Sequence, residues 1–548
     1  MIKKILFFSA FFTALILAQE YTNSEDEIYP FLERMENLHI IDNYNSFELP
    51  KTKNEIAEYL SQIENKKNEL NSIDLALLGH FKIEYSYELY KNTETFTGII
   101  NGNYDFLSHQ NKYLYYKADT SGNKILINLL AQGQLVHFKE NESSISKLGY
   151  IGGIIHGVIL DKIGFSVQGI NGIVFGDKKA ALSLDELKYN FKLNETSEES
   201  FFDETEGYLS ADFDFLKLKI GRDRQQIGYG VVKSILSSEI PAIDYLSFRI
   251  DYNFFSYSFF HGKLLGAPSS VIDPIFGDYN YIPEKYMVYH RVGFNLSKHA
   301  DFGLGEIAIY GDRGIDIAYL NPFNFYKTIE HSNRDRDNSI LFVDFNNNSI
   351  KGLKLFSNIL IDDISFGKIG TGWWGNKTLM NFGLSTNVFY SLLPINLNIE
   401  YTKIEPYTFT HRLSRNVYTN FNYNLLGDEL KPNSSNIFFG LNLLAAHNVN
   451  INFSYFYSIH GANEFDENGN VIRNVGGDIF LSKRIGDSDN IKFLEGEREY
   501  SSIYNFGIEY EFYRQIFLQL DAHYVHKNFN SSQSQEEFQT LLTLSFIL

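Results

Sequence analysis

From about Phe81 to the carboxyl end, apolar and polar residues alternate with a period of two, the spacing of strands that are greasy on one face only. Phe81, Ile83, Tyr85, Tyr87 and Leu89 alternate with Lys82, Glu84, Ser86 and Glu88. The pattern returns in Leu246, Phe248, Ile250 and Tyr252, in Leu353, Leu355 and Ile359, and in Ile395, Leu397, Ile399 and Tyr401. It is clearest where Val449, Ile451, Phe453, Tyr455, Tyr457 and Ile459 are set against Asn450, Asn452, Ser454, Ser458 and His460. A soluble antiparallel sheet alternates too, so strand length and loop pattern have to decide. Several runs exceed about eight residues, as tilted membrane-spanning strands need, whereas strands of globular proteins average about five or six. Connections come in two sizes. Ser391 to Pro394, Asp119 to Asn123 and Ala445 to Asn448 read as periplasmic turns, and Leu193 to Glu206, Ile404 to Ser435 and His460 to Gly477 as external loops. No fixed repeat of a propeller or solenoid is present. The pattern predicts an all-β fold over residues 80–548, a large antiparallel transmembrane β-barrel of about sixteen to twenty strands, with about eighteen as the central value.

The first residues differ. Lys3 and Lys4 precede an apolar run from Ile5 to Leu17, broken only by Ser9 and Thr13 and followed by Ala18. This predicts a signal peptide over residues 1–18, too short to remain as a membrane helix. Residues 19–79 carry helical signals instead. Pro30 stands as a first-turn proline before Phe31, Leu32 and Met35, and Thr52 with Glu55 has capping-box spacing ahead of Ile56, Leu60 and Ile63. Ile73, Leu75, Leu77 and Leu78 continue the bundle or lead into the first strand. The expected element is a small periplasmic helical segment, acting as a plug or packed on the barrel rim.

Composition supports the barrel. Aromatic residues make up 16% of the chain, with 37 Tyr and 48 Phe, and there is no Cys. Aromatic girdles and a closed hydrogen-bond ladder suit such a chain, where a large exported soluble protein would draw on disulfides. The final run, Phe538, Thr540, Leu542, Leu544, Phe546 and Leu548, has the form of a closing strand that outer-membrane assembly machinery recognises. Partners are therefore outer-membrane lipid and that machinery, in a Gram-negative-type envelope. The formal charge is −19, and −21 without Lys3 and Lys4, which argues against nucleic acid.

Motifs for catalysis, cofactors and metals are weak. The Gly164 to Gly169 stretch is one residue too long for a nucleophile elbow, and Gly228 to Ser234 has the wrong spacing for a phosphate loop. Asp466 to Asn470 has too early a glycine for a calcium loop and reads as a turn, and His523 with His526 falls on opposite strand faces. No cofactor, metal or enzymatic activity is expected. Two stretches stand apart: Arg222, Asp223 and Arg224 among glycines, and Asn321 after Leu320, followed by Glu330 and the run Arg334, Asp335, Arg336, Asp337 and Asn338. Planar polar groups beside aromatic rings hold sugars. The same residues would equally build a lumen ion-pair network fixing an inward loop.

The order of Ile28 to Leu38, Ile56 to Leu78, Gly221-Arg222-Asp223 with Gly228-Tyr229-Gly230, and Asn321-Pro322-Phe323 with Asp337-Asn338 and Asp344 resembles the Wzi-like capsule-assembly family of outer-membrane proteins. That resemblance implies a barrel with a periplasmic helical bundle that binds or organises capsular polysaccharide in a lectin-like way, without catalysis. It transfers no residue-level site. The alternative function is a porin or solute channel with an acidic lumen. A third, a rim hydrolase, has no motif.

Overall fold

The computed structural model describes residues 19–91, 95–96, 113–188, 190, 193, 200–213, 215–267, 269–387, 389–420, 424–428, 430–530 and 533–548. The leader read at residues 1–18, and much of the loop read from Leu193, lie outside these. Eighteen antiparallel strands close into one barrel. The first six are β1 (Lys124–Lys139), β2 (Ser143–Ile159), β3 (Ile163–Gly176), β4 (Phe201–Asp212), β5 (Leu216–Asp223) and β6 (Ile243–Tyr252). Next come β7 (Phe255–Leu265), β8 (Glu284–Ser297), β9 (Ala300–Gly311), β10 (Asn338–Ile350), β11 (Leu353–Asp363) and β12 (Lys377–Thr386). The circuit ends with β13 (Ile395–Ile404), β14 (Ser434–Ala446), β15 (Val449–Ala462), β16 (Glu497–Tyr513), β17 (Ile516–Phe529) and β18 (Gln535–Ile547). Closure pairs Phe538 with Lys139 and Ile547 with Leu130. Beneath it a short strand, Tyr115–Ala118, takes the rest of the β1 edge at Lys124 to Ile127.

Burial along the strands is the reverse of that in a soluble sandwich. On β11, Leu355 is 46% exposed while its neighbour Lys354 is 3% exposed, and on β13 Ile399 is 49% exposed against 2% for Glu400. Apolar side chains at the alternating positions form the outer wall, and charged and amide side chains line the inside. Water would not tolerate this arrangement, and lipid requires it. The tight turns gather at one end: 253–254 joins β6 to β7, 351–352 joins β10 to β11, and 447–448 joins β14 to β15. That end is periplasmic by the usual loop asymmetry of such barrels. The polar stretch read as a loop up to Glu206 is partly strand, since β4 begins at Phe201. The strand continues past the greasy belt, where Glu204 and Glu206 turn inward to meet Arg224.

Four helices occupy the periplasmic end: α1 (Ile28–Asn37), α2 (Lys53–Asn65), α3 (Ser72–Glu84) and α4 (Ser86–Tyr90). The Thr52–Glu55 capping box forms at the start of α2, and Asn71 caps α3 through the Asp74 amide. The stretch read as a first strand from Phe81 to Leu89 is helical. Its odd positions suit a strand, but Leu77, Leu78, Phe81 and Tyr85 also recur at helical spacing, and those four are buried with Phe31, Leu32 and Ile63. Packing against α1 and α2 decided between two legitimate periods. The bundle docks on the tight turns, with His39 stacked on His299 at 4.0 Å and Asn37 bonded to Asn387 at 3.0 Å.

Within the bundle Arg34 pairs with Asp74 at 2.6 Å, both out of contact with water. Asp74→Ala strands that guanidinium, a loss of about 3–5 kcal/mol. Rapid proteolysis of residues 19–91, with the barrel still intact, is the expected outcome, and equal protease resistance would count against it.

The lumen is partly filled by chain. Residues 44–50, between α1 and α2, rise inside the barrel, where Glu48–Leu49 pairs with Gln226–Ile227. Two long connections fold inward over them: 224–242 after β5 and the described residues of 405–433 after β13. Phe47, Tyr229, Val232, Ile235, Leu236 and Tyr418 meet wall residues including Tyr289, Phe342, Leu360 and Leu379 in one apolar core.

Candidate functional site

The inner wall presents cations and the N-terminal segment presents carboxylates. Lys124 binds Glu20 and Glu88, each at 2.5 Å, Lys217 binds Glu55 at 2.7 Å, and Lys354 binds Glu36 at 2.9 Å. Burial would raise the Glu55 carboxyl, but Lys217, Arg249 and Lys51 hold it well below the usual range. For Glu36 burial prevails over Lys354 and pushes the carboxyl up to about 7. Such matched pairs fix register more than they add stability.

Of the residues singled out in the sequence, Asp223 and Arg224 belong to this interior. Asp223 accepts from Lys219 at 2.6 Å, and Arg224 binds Glu204 at 2.7 Å, Glu206 at 3.2 Å and the Ser238 carbonyl at 3.2 Å. Arg222, one residue earlier, points to the outer face and pairs with Asp244 of β6 at 3.3 Å. Between the bundle and the wall of β1–β5 lies a cavity of about 1200 Å³, lined among the described residues by Tyr87, Tyr116, Tyr150, Tyr208, Glu206 and Arg224.

The second stretch, up to Asp337, is not in the lumen. The connection 312–337, with short helices α5 (Ile317–Leu320) and α6 (Tyr326–Ser332), folds back over the outside of β7–β9. The alternation proves the side: Glu306 shares a face of β9 with Leu304, which is 44% exposed, yet Glu306 itself is 5% exposed. It is covered because the Tyr326 amide donates to it at 2.7 Å and His290 lies 3.2 Å away. His290 is the seventh of fourteen residues in β8, so the flap reaches halfway down the wall. Asp337 takes both Arg313 nitrogens, at 2.9 and 2.8 Å, and the Tyr319 hydroxyl at 2.9 Å. Glu330 binds Lys327 at 3.0 Å and Ser339, Asn338 donates to the Asn416 carbonyl at 3.2 Å, and Asn321 bonds to Asn324 at 3.0 Å. Asp337 and Glu330 hold the flap down and Asn321 braces its turn, whereas Asn338, on the inward face of β10 with Ile340 and Phe342, holds Asn416 from inside. Arg334, Asp335 and Arg336 alone of the run stand exposed on the rim, where Arg412 donates to the Asp335 carbonyl at 2.8 Å.

Phe323 and Phe325 project from the flap, 72% and 73% exposed. On the outer face of the wall such rings are expected to meet acyl chains. A cysteine at Phe325 in lipid vesicles is expected to react with a charged maleimide at least about tenfold more slowly than one at Arg336. Equal rates would place the flap in water.

A site absent from the sequence reading lies at the external end. The chain's two tryptophans, Trp373 and Trp374, are adjacent and flanked by Gly372 and Gly375 in the connection 364–376. That connection is zipped to 463–496: Trp373 bridges to Asn490, the Trp374 amide donates to the Asp489 carbonyl at 3.0 Å, and the Ile491 amide donates to Gly372 at 2.7 Å. Trp374 sits edge-on to Tyr407 at 6.0 Å. Lys368 Nζ lies 4.0 Å from the Trp373 ring centre, and Lys483 and Lys377 lie 5.4 and 5.7 Å from that of Trp374. Both rings are partly exposed. Two rare indoles side by side between glycines were the available signal.

Together these features define a large outer-membrane-type β-barrel with a lumen partly filled by its own chain and a periplasmic helical bundle. The sequence matches no known protein-family profile and no curated protein. In fold it is similar to Wzi of Escherichia coli, described as an outer-membrane protein involved in group 1 capsule assembly and a carbohydrate-binding β-barrel, with a TM-score of 0.56 and 11% identity over 96% of this chain and 98% of that one. Two Pseudomonas aeruginosa barrels also align, over 77% of this chain: OccK3 (TM-score 0.43, 12% identity, 96% of its chain) and OprD (TM-score 0.41, 9% identity, 95% of its chain).

Proposed function

We propose that this Wzi-like protein holds surface polysaccharide at the outer leaflet, a binding and anchoring role in capsule assembly without catalysis. The observation that carries the reading is the filled lumen: eighteen strands enclose room for an aqueous channel, yet 44–50, 224–242 and the described residues of 405–433 occupy much of it with a packed apolar core. A barrel closed in this way works through its external surface, and there the chain displays its tryptophan pair. The similar fold of a carbohydrate-binding barrel agrees with this. Titrating the detergent-held protein with the host's own polysaccharide should quench tryptophan fluorescence and give co-sedimentation. If neither occurs, the proposal fails.

A solute channel is the second reading, favoured by the cavity of about 1200 Å³ in the unfilled part of the lumen. Steady currents across a planar bilayer support the channel, and silence supports the anchor.

A further inference from the structure

Resting on the polysaccharide reading, we propose that Trp373 and Trp374 with Lys368, Lys377 and Lys483 form a subsite for an acidic, carboxylate-bearing glycan. Neutral sugars need rings and hydroxyl partners only; here three ammonium groups converge on two adjacent indoles, in a chain whose formal charge is −19. The local carboxylates are already engaged. Asp489 pairs with Lys483 at 2.9 Å, and Asp487 takes the Arg484 guanidinium at 3.0 Å and the Asn474 amide at 2.9 Å. Lys368, by contrast, has no ion-pair partner among the described residues and rests on the Trp373 ring, while Lys377 donates to the Thr410 carbonyl at 3.3 Å and faces the buried Asp362 carboxylate. An ammonium lying on an indole face is held weakly and moves aside at little cost. A uronate ring can therefore stack its apolar face on Trp373 while its carboxylate takes the displaced Lys368. The two loops that carry the site are bonded edge to edge through Asn490 and Ile491, so the indoles are already positioned before ligand arrives.

The test uses the full-length protein in detergent with three probes: polygalacturonate, the same polymer with its carboxyls reduced to alcohols, and the host's own polysaccharide. Expected are saturable fluorescence quenching by polygalacturonate, at least about tenfold weaker binding of the reduced polymer, and affinity that falls with added salt. Lys368→Gln, an exposed change with little risk to folding, should weaken polygalacturonate at least about tenfold and flatten the salt dependence. Trp373→Ala/Trp374→Ala should remove binding, followed by co-sedimentation. Host polysaccharide that binds the wild type and every variant alike overturns this site and leaves the polysaccharide reading standing. Equal binding of charged and reduced polymers, or no binding of polygalacturonate where host polysaccharide binds, overturns the acidic preference. If host polysaccharide also fails to bind, the parent reading falls with it.

Discussion

Gly230→Val combined with Glu400→Ala should raise open-channel current in planar bilayers at least about tenfold over the unaltered chain, by releasing residues 230–232 of the inward connection 224–242. Gly230 has φ +90°, a left-handed region closed to a β-branched residue, and an added Cβ would come within 2.7 Å of the Phe356 ring and 2.8 Å of the Glu400 carboxylate. Backbone strain of about 1–3 kcal/mol adds to steric overlap of about 1–3 kcal/mol. Glu400 is the handle on the other side, accepting the Val231 amide at 2.6 Å and the Val232 amide at 3.3 Å. Without it the buried Val232 amide loses its acceptor at about 1–3 kcal/mol, and the part-buried Val231 amide loses its own as well. Other ties remain, among them Asn358 to Tyr229 at 3.1 and 3.0 Å, the Lys233 amide to Asp428 at 2.7 Å, the Tyr418 hydroxyl to the Ile235 carbonyl at 2.8 Å and the pairing of Gln226–Ile227 with Glu48–Leu49, so the part expected to come loose is 230–232, which Gly230 and Glu400 hold. A folded double variant that conducts no better than its parent would show that this connection is not the seal.

Arg291→Met is expected to destabilise the barrel by about 3–5 kcal/mol, seen as a lower temperature for the shift from folded to unfolded mobility in detergent gels. Arg291 and Asp344 form a two-pronged pair at 2.8 and 2.7 Å, both buried, with the guanidinium stacked 4.4 Å from the Phe47 ring. Gly303 explains how the pair fits: a Cβ there would lie 2.2 Å from the Asp344 carboxylate and 2.4 Å from Arg291 Nε. Removing the cation leaves Asp344 charged and dry. The double variant Arg291→Met/Asp344→Leu should recover most of the loss, because the burden is the unpaired charge rather than the missing bond. Equal loss in the single and double variants would refute that account.

Much of the wall is legible in the chain because lipid imposes a simple rule on each strand. Leu353, Leu355 and Ile359 had to share a face, and the structure puts that face outward. The rule fails where other partners compete. Phe81 and Tyr85 satisfy two periods, and only contact with α1 and α2 selects the helix. Arg334 to Asn338 looks like one polar cluster, yet consecutive residues of a bending chain separate: Asp337 is buried under Arg313 while Arg336 stays on the rim. The tryptophan pair was visible as letters, but its lysines come from 364–376, the first residue of β12 and 463–496, which no local spacing joins.

The order of polar and apolar side chains by itself determined that this protein is a barrel of long two-faced strands following a helical N-terminal segment, because that order is read locally, one strand or one turn at a time. Only the tertiary structure decided that residues 44–50, 224–242 and the described part of 405–433 enter the lumen and that 312–337 folds over the outer face of the wall. The reason is physical: a connection rich in both rings and charges can satisfy them against either face of a closed wall, and the choice depends on partners such as Glu400 and Glu306 that lie far away in the chain.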